Sequence, residues 1–103
     1  MLDKRISFSG FDLEESEQSK VNEIIEKYFN KIEEKISDFQ EIKLRLKKSL
    51  HGKAFLHEVQ GDIIINSKRF TSKYADYNLY TALAEVFEKL LIELEHIKRK
   101  LNP

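Results

Sequence analysis

Residues 21–47, VNEIIEKYFNKIEEKISDFQEIKLRLK, change their apolar period partway along, and that change decides the architecture. Val21, Ile24, Ile25, Tyr28, Phe29, Ile32 and Ile36 recur at i, i+3, i+4, i+7, i+8, i+11 and i+15, one apolar stripe along about five helical turns. Ser37-Asp38 interrupts the stripe. From there Ile42, Leu44 and Leu46 alternate with Lys43, Arg45 and Lys47, the period of a half-buried strand whose outer face is basic.

Upstream, Ile6 and Phe8 alternate with Arg5, Ser7 and Ser9, which predicts a first strand ended by Gly10. Ser16 is the expected N-cap of the helix, with Glu17 suited to the positive end of its dipole. Downstream, Ser49 to Lys53 reads as a connection. The run Ile63-Ile64-Ile65 predicts a third strand, whose start near Phe55 to Val59 the pattern leaves open and in which Gly61 suggests a bulge. Asn66-Ser67-Lys68 turns the chain into a fourth strand, Arg69 to Tyr74, that sends Phe70, Ser72 and Tyr74 to one face. Asp76 or Asn78 then caps a last helix with the stripe Leu79, Ala82, Leu83, Val86, Phe87, Leu90, Leu94, Ile97 and Leu101.

The expected fold is therefore α+β, a two-layer β-α-β-β-β-α domain spanning residues 1–103. It has a four-stranded mixed sheet, the first two strands parallel through a helical crossover, and two helices packed on one face. Each helix has a single apolar stripe, so both cover the same side and leave the other wet. At 103 residues, 41% apolar and 35% charged, the chain supports one core.

Composition narrows function. With no Cys, a disulfide framework, a thiolate zinc site and a cysteine nucleophile are all excluded. His51, His57 and His96 are scattered without ligand spacing, and no phosphate-cradling Gly loop or nucleophile elbow occurs, so neither a metal, a cofactor nor an enzymatic activity is expected. No apolar run is long enough to span a bilayer or to form a signal peptide, and a cytoplasmic protein without a membrane or small-molecule partner is expected.

The 18 basic residues balance 18 acidic ones, so any polyanion site depends on where the charges lie. Strand alternation places Arg5, Lys43, Arg45, Lys47, Arg69 and Lys73 on the wet sheet face, a set without carboxylates. On the first helix Lys20, Lys27, Lys31 and Lys35 fall on one flank of the stripe. On the second, Lys89, His96 and Lys100 take the corresponding flank, and Lys98, Arg99 and Lys100 make the tail basic. The competing explanation is ordinary solubility, edge protection and dipole complementarity. Tyr77 and Tyr80 are the tyrosines placed to meet RNA bases.

The stretch Phe70-Thr71-Ser72-Lys73-Tyr74-Ala75-Asp76-Tyr77-Asn78-Leu79-Tyr80-Thr81-Ala82-Leu83 resembles the ribosome hibernation-promoting factor family, also called ribosome-associated protein Y, sigma-54 modulation protein or S30EA ribosomal protein. The Leu79-Tyr80-Thr81-Ala82-Leu83 helix start is the most motif-like part, and Lys89-Leu90, Lys98-Arg99-Lys100-Leu101, Ser16 and Lys31-Ile32-Glu33 resemble further family segments. The resemblance implies a short-form member, a monomer off the ribosome. Such a member binds small-subunit rRNA near the decoding region and blocks mRNA and tRNA binding in idle ribosomes. Long members carry a C-terminal domain that pairs ribosomes, and pairing by that route is not expected here. Where relatives often have a basic residue in the last helix, this chain has Ile92 and His96. Leu91 and Ile92 lie off the stripe, and as an exposed pair they support a second reading, a protein-binding regulatory module without RNA contact. A double-stranded RNA module fits the element order poorly.

Overall fold

The structure, a computed structural model, describes residues 3–101, and side chains through residue 97. Its order is β1 (Ile6–Ser9), α1 (Glu15–Lys35), β2 (Glu41–His51), β3 (Ala54–Ile65), β4 (Lys68–Asp76) and α2 (Leu79–Leu101). The strands form one mixed sheet in the order β1-β2-β3-β4, with β1 parallel to β2 and the other pairs antiparallel. This is the expected fold. Both helices lie on one face of the sheet, where Val21, Ile25, Ile32, Ile42, Leu44, Val59, Ile63, Leu83, Val86, Phe87, Leu90 and Leu94 are almost wholly excluded from solvent. The aromatic seam between the helices is a parallel stack of Tyr28 on Phe87, with ring centroids 5.1 Å apart.

Several boundaries differ from expectation. The α1 N-cap lies two residues before Ser16: it is Glu14, and the Glu17 side chain accepts from its amide at 3.3 Å. A carboxylate there meets the same free amides and favourable dipole that a serine would. At α2, Asn78 is the cap, its side-chain oxygen accepting from the Thr81 amide at 3.0 Å, while Asp76 accepts from Asn78 itself. Leu91 is buried rather than exposed, at 8%, because the α2 stripe is broad enough to reach it. Ile92 alone stays open, at 60%.

Residues 49–51 are strand rather than connection, and the start of the third strand, which the sequence pattern left open, is Ala54. The β2 and β3 strands pair without interruption from Glu41↔Ile64 to His51↔Ala54, closed by the two-residue loop Gly52-Lys53. Gly52 adopts φ 65°, the left-handed conformation that the first central position of a type II′ hairpin requires. The β3–β4 loop, Asn66-Ser67, has φ of 50° and 65°, the pattern of a type I′ turn.

Gly61 makes no bulge. It pairs in register with Leu44 on one side and Ser72 on the other. Its role is clearance: a Cβ there would lie 2.6 Å from Val86 Cγ1 and 3.2 Å from Leu90 Cδ1, so the missing side chain lets α2 settle onto the sheet. Beside it, the Ser72 hydroxyl donates to the Val86 carbonyl at 2.8 Å and fixes the same contact. Gly61→Ala should cost about 1–3 kcal/mol through overpacking, read as a lower denaturant midpoint with an unchanged m-value. A midpoint equal to that of the wild type would show that α2 does not press on this position.

Candidate nucleic-acid interface

The structure sorts the cations singled out in the sequence into groups that do different things. Arg5 leaves the wet face altogether. It precedes β1, and its guanidinium lies 4.2 Å from the Phe39 ring centroid and 5.1 Å from that of Phe29. There it donates to Asp3, Glu33 and the Ser37 carbonyl. The turn that bonds the Ile6 amide to the Asp3 carbonyl swings Arg5 out of strand alternation, which is why the period-two reading failed there. Arg5 holds the Asp3 carboxyl below the usual carboxylate range, chiefly by side-chain hydrogen bonding. That stabilising contribution is present at neutral pH and is lost as pH falls through the lowered value.

The other five cations do occupy the open face, but not alone. The register sets Glu41, Asp62 and Glu58 among them, and Lys43–Glu41, Arg69–Asp62 and Lys73–Glu58 approach to 4.0 Å. The sequence reading overlooked Glu58 and Asp62 because the start and register of β3 were unassigned, and Glu41 because the strand alternation was read only from Ile42 onward. Asp62 is only 3% exposed, set opposite Lys43 and Thr71 with the Gln60 amide donating to it at 3.3 Å. Arg45 and Lys47 make no described ion pair and are exposed.

Along α1, Lys20, Lys27, Lys31 and Lys35 run beside α2. Lys20 lies 5.5 Å from the Tyr80 ring centroid, and Lys27 and Lys31 lie 5.5 and 5.1 Å from that of Tyr28. Lys35 is taken up by an ion pair with Glu95. The α1 lysines thus face the flank of α2 that carries Glu88 and Glu95.

Lys89 and His96 lie on the other side of α2 and do not join them. Lys89 donates to the Lys73 carbonyl at 3.1 Å and sits 5.1 Å from the Tyr74 ring centroid. His96 lines an open, mainly apolar cleft of about 350 Å³ with Ile65, Phe70, Glu93 and Ile97. The side chains of Lys98, Arg99 and Lys100 lie outside the described residues. Tyr77 is exposed at 58%, whereas Tyr80 is half-buried.

The basic residues that sequence reasoning missed are Lys48 and Lys53, toward the far end of the β2–β3 hairpin. From Arg45 to His57 the chain carries Arg45, Lys47, Lys48, Lys53 and two histidines without an acidic residue. The alternation beyond Lys47 and the Gly52-Lys53 loop were the signals for them. Among the described residues no group of three or more His, Cys, Asp or Glu could hold a metal, and no helix is long and apolar enough to cross a membrane.

A sheet with one helix-covered face and one charged open face, under a paired-helix layer edged with lysines, defines a two-layer α+β domain. Within that class, the chain belongs to the family described as Sigma 54 modulation protein / S30EA ribosomal protein, whose model matches residues 5–102. Its fold is similar to that of a ribosomal subunit interface protein from Coxiella burnetii, at 13% identity and TM-score 0.67, covering 92% of this chain and 96% of the other. It is also similar to the Thermus thermophilus Protein Y N-terminal domain, at 18% identity and TM-score 0.56, covering 94% and 99%. No curated relative matches in sequence.

Tyr28 offers a pH probe of the helix seam. Burial, reinforced by its 2.7 Å hydrogen bond to Glu88, pushes its phenol up to about 12. A raised phenol favours the neutral form in the folded state, so its stabilisation is complete below the ordinary tyrosine value of ~10 and is lost as pH rises through the folded value. Tyr28→Phe should remove the highest-pH step from the phenolate absorbance titration and cost about 1 kcal/mol of stability at neutral pH. A titration curve that keeps that step would assign it to another tyrosine.

Proposed function

We propose that this protein is a ribosome-associated factor that lies on the small subunit, contacts rRNA near the decoding region and keeps mRNA and tRNA from binding to idle ribosomes. The family match across nearly the whole chain carries this reading. The names of the two fold relatives, a ribosomal subunit interface protein and Protein Y, support the ribosome as partner. Cytoplasmic location follows from that partner.

On this reading the protein acts by occupancy. Lys20, Lys27 and Lys31 on the helix side, and Arg45 and Lys47 on the open sheet face, meet phosphates directly, having no described carboxylate to displace. Lys43 and Lys73 contribute after exchanging loose 4.0 Å pairs for phosphate, an exchange that costs little at exposed sites, whereas Arg69 is retained beside the buried Asp62 carboxylate, which would otherwise lose its charge partner. Arg5 and Lys35 hold the fold together instead. Contacts of this kind position a protein without reading base sequence. The rival protein-binding patch is weakened by the burial of Leu91, which leaves Ile92 by itself.

Sedimentation with small subunits over a range of salt tests the proposal. Wild-type binding should fall steeply with salt, and the double reversals Lys27→Glu/Lys31→Glu and Arg45→Glu/Lys47→Glu should each flatten the log–log slope by about 1–2 units, close to one for each phosphate no longer neutralised. Ile92→Asp should bind as the wild type does. Association that is indifferent to salt, or absent, would refute the proposal.

A further inference from the structure

The hairpin formed by β2 and β3 outruns its sheet. The β1 strand pairs with β2 only as far as Arg45, and β4 pairs with β3 only from His57 onward. Residues 49–51 and 54–56, paired with one another, therefore form a two-stranded ribbon with no strand on either edge, about 10 Å long at the rise of a strand, and Lys47 and Lys48 stand at its root opposite Glu58 and His57. The helices do not cover it either: Leu50 is 62% exposed and Phe55 47%, although strand parity puts both on the helix side of the sheet. They are direct cross-strand partners, and the Lys48 ammonium lies 4.6 Å from the Phe55 ring centroid.

We propose that this ribbon is a nucleic-acid-contacting finger, in which Phe55 stacks on an unpaired base while Lys47, Lys48 and Lys53 hold the neighbouring phosphates. The inference rests on the ribosomal reading above and names a part of the RNA that the finger takes. An exposed aromatic ring bordered by cations is the combination that binds single strands, since every base presents a π-face and every step a phosphate. A duplex hides those faces, so the finger selects unpaired nucleotides. The charge favours RNA over a protein partner, because the segment from Lys47 to His57 carries three lysines and no carboxylate, the first, Glu58, standing at the root opposite Lys47.

An apolar cross-strand pair at a hairpin end also steadies the hairpin, which by itself would explain Leu50 and Phe55. The two roles separate in the full-length protein. Phe55→Leu keeps an apolar partner for Leu50 and removes the π-face. Phe55→Trp keeps both and, in a chain without tryptophan, supplies a single fluorophore at the tip.

Phe55→Leu should fold with wild-type circular dichroism yet bind small ribosomal subunits about fivefold to a hundredfold more weakly, the loss expected from one base stack. Phe55→Trp should retain affinity, and its emission should be quenched by small subunits and by single-stranded oligoadenylate at low salt, with little quenching by a duplex of equal length. If Phe55→Leu binds normally and the tryptophan emission is unchanged on subunits that the protein does bind, the finger is wrong and the ribosomal reading stands. If Phe55→Leu weakens binding while the tryptophan is not quenched and Lys47→Glu/Lys48→Glu/Lys53→Glu binds as the wild type does, the tip sits on protein and the inference is likewise overturned. Failure of the wild type to bind subunits at all would remove both.

Discussion

The pairing of β2 with β3 is the constraint on which the rest of the structure depends. Every residue of the 11-residue β2 has a β3 partner, and β1 and β4 each attach to a portion of that ladder. Its register decides at once which side chains enter the core and which carboxylates stand among the outer cations. A slip of one residue would exchange Ile63 with Asp62 across the sheet and take the Gly61 clearance away from Val86. Antiparallel pairing through a two-residue loop is local in sequence, so the central hairpin can form before the parallel β1 strand, which needs the α1 crossover to reach it.

The architecture was legible in the sequence because its signals are periodic. The α1 stripe from Val21 to Ile36 and the α2 stripe from Leu79 onward each describe a helix with one buried side, and the alternation from Ile42 to Lys47 describes a strand. The signal failed where local geometry breaks the period. Arg5 has strand parity but belongs to a turn, so it closes over Phe29 and Phe39. Gly61 has the composition of a bulge but sits in a regular ladder, because the reason for a glycine there is on another element, at Val86 and Leu90. Such tertiary reasons leave no trace in a one-dimensional pattern.

The candidate site was legible to a lesser degree, for an electrostatic reason. In a chain with 18 charges of each sign, counting cations on a strand says little until the register of the neighbouring strand is known. Glu58 and Asp62 enter the open face through that register alone, whereas Glu41 shares the β2 parity of Lys43. On the helices the same holds for flank assignments. Lys89 and the α1 lysines share a position relative to their own stripes, yet α2 places Lys89 toward β4 while Glu88 and Glu95 turn toward α1. Uncompensated positive charge therefore collects where acidic residues are missing from the sequence itself, between Arg45 and His57.

That concentration changes what the ribbon has to accomplish physically. A two-stranded hairpin beyond its sheet is marginal in water, since neither helix nor strand shields its backbone. Like charges at Lys47, Lys48 and Lys53 add repulsion, and the opposing stabilisation must come from within the ribbon. The Gly52 turn, the Leu50–Phe55 pair and the Lys48 contact with the Phe55 ring supply it. The ring that steadies the free hairpin is thus also its most accessible π-surface, and the ammonium held against it sits within reach of any phosphate that follows a stacked base. A polyanion relieves the repulsion that an apolar partner would leave in place, so the charges that weaken the isolated ribbon strengthen it once nucleic acid is bound.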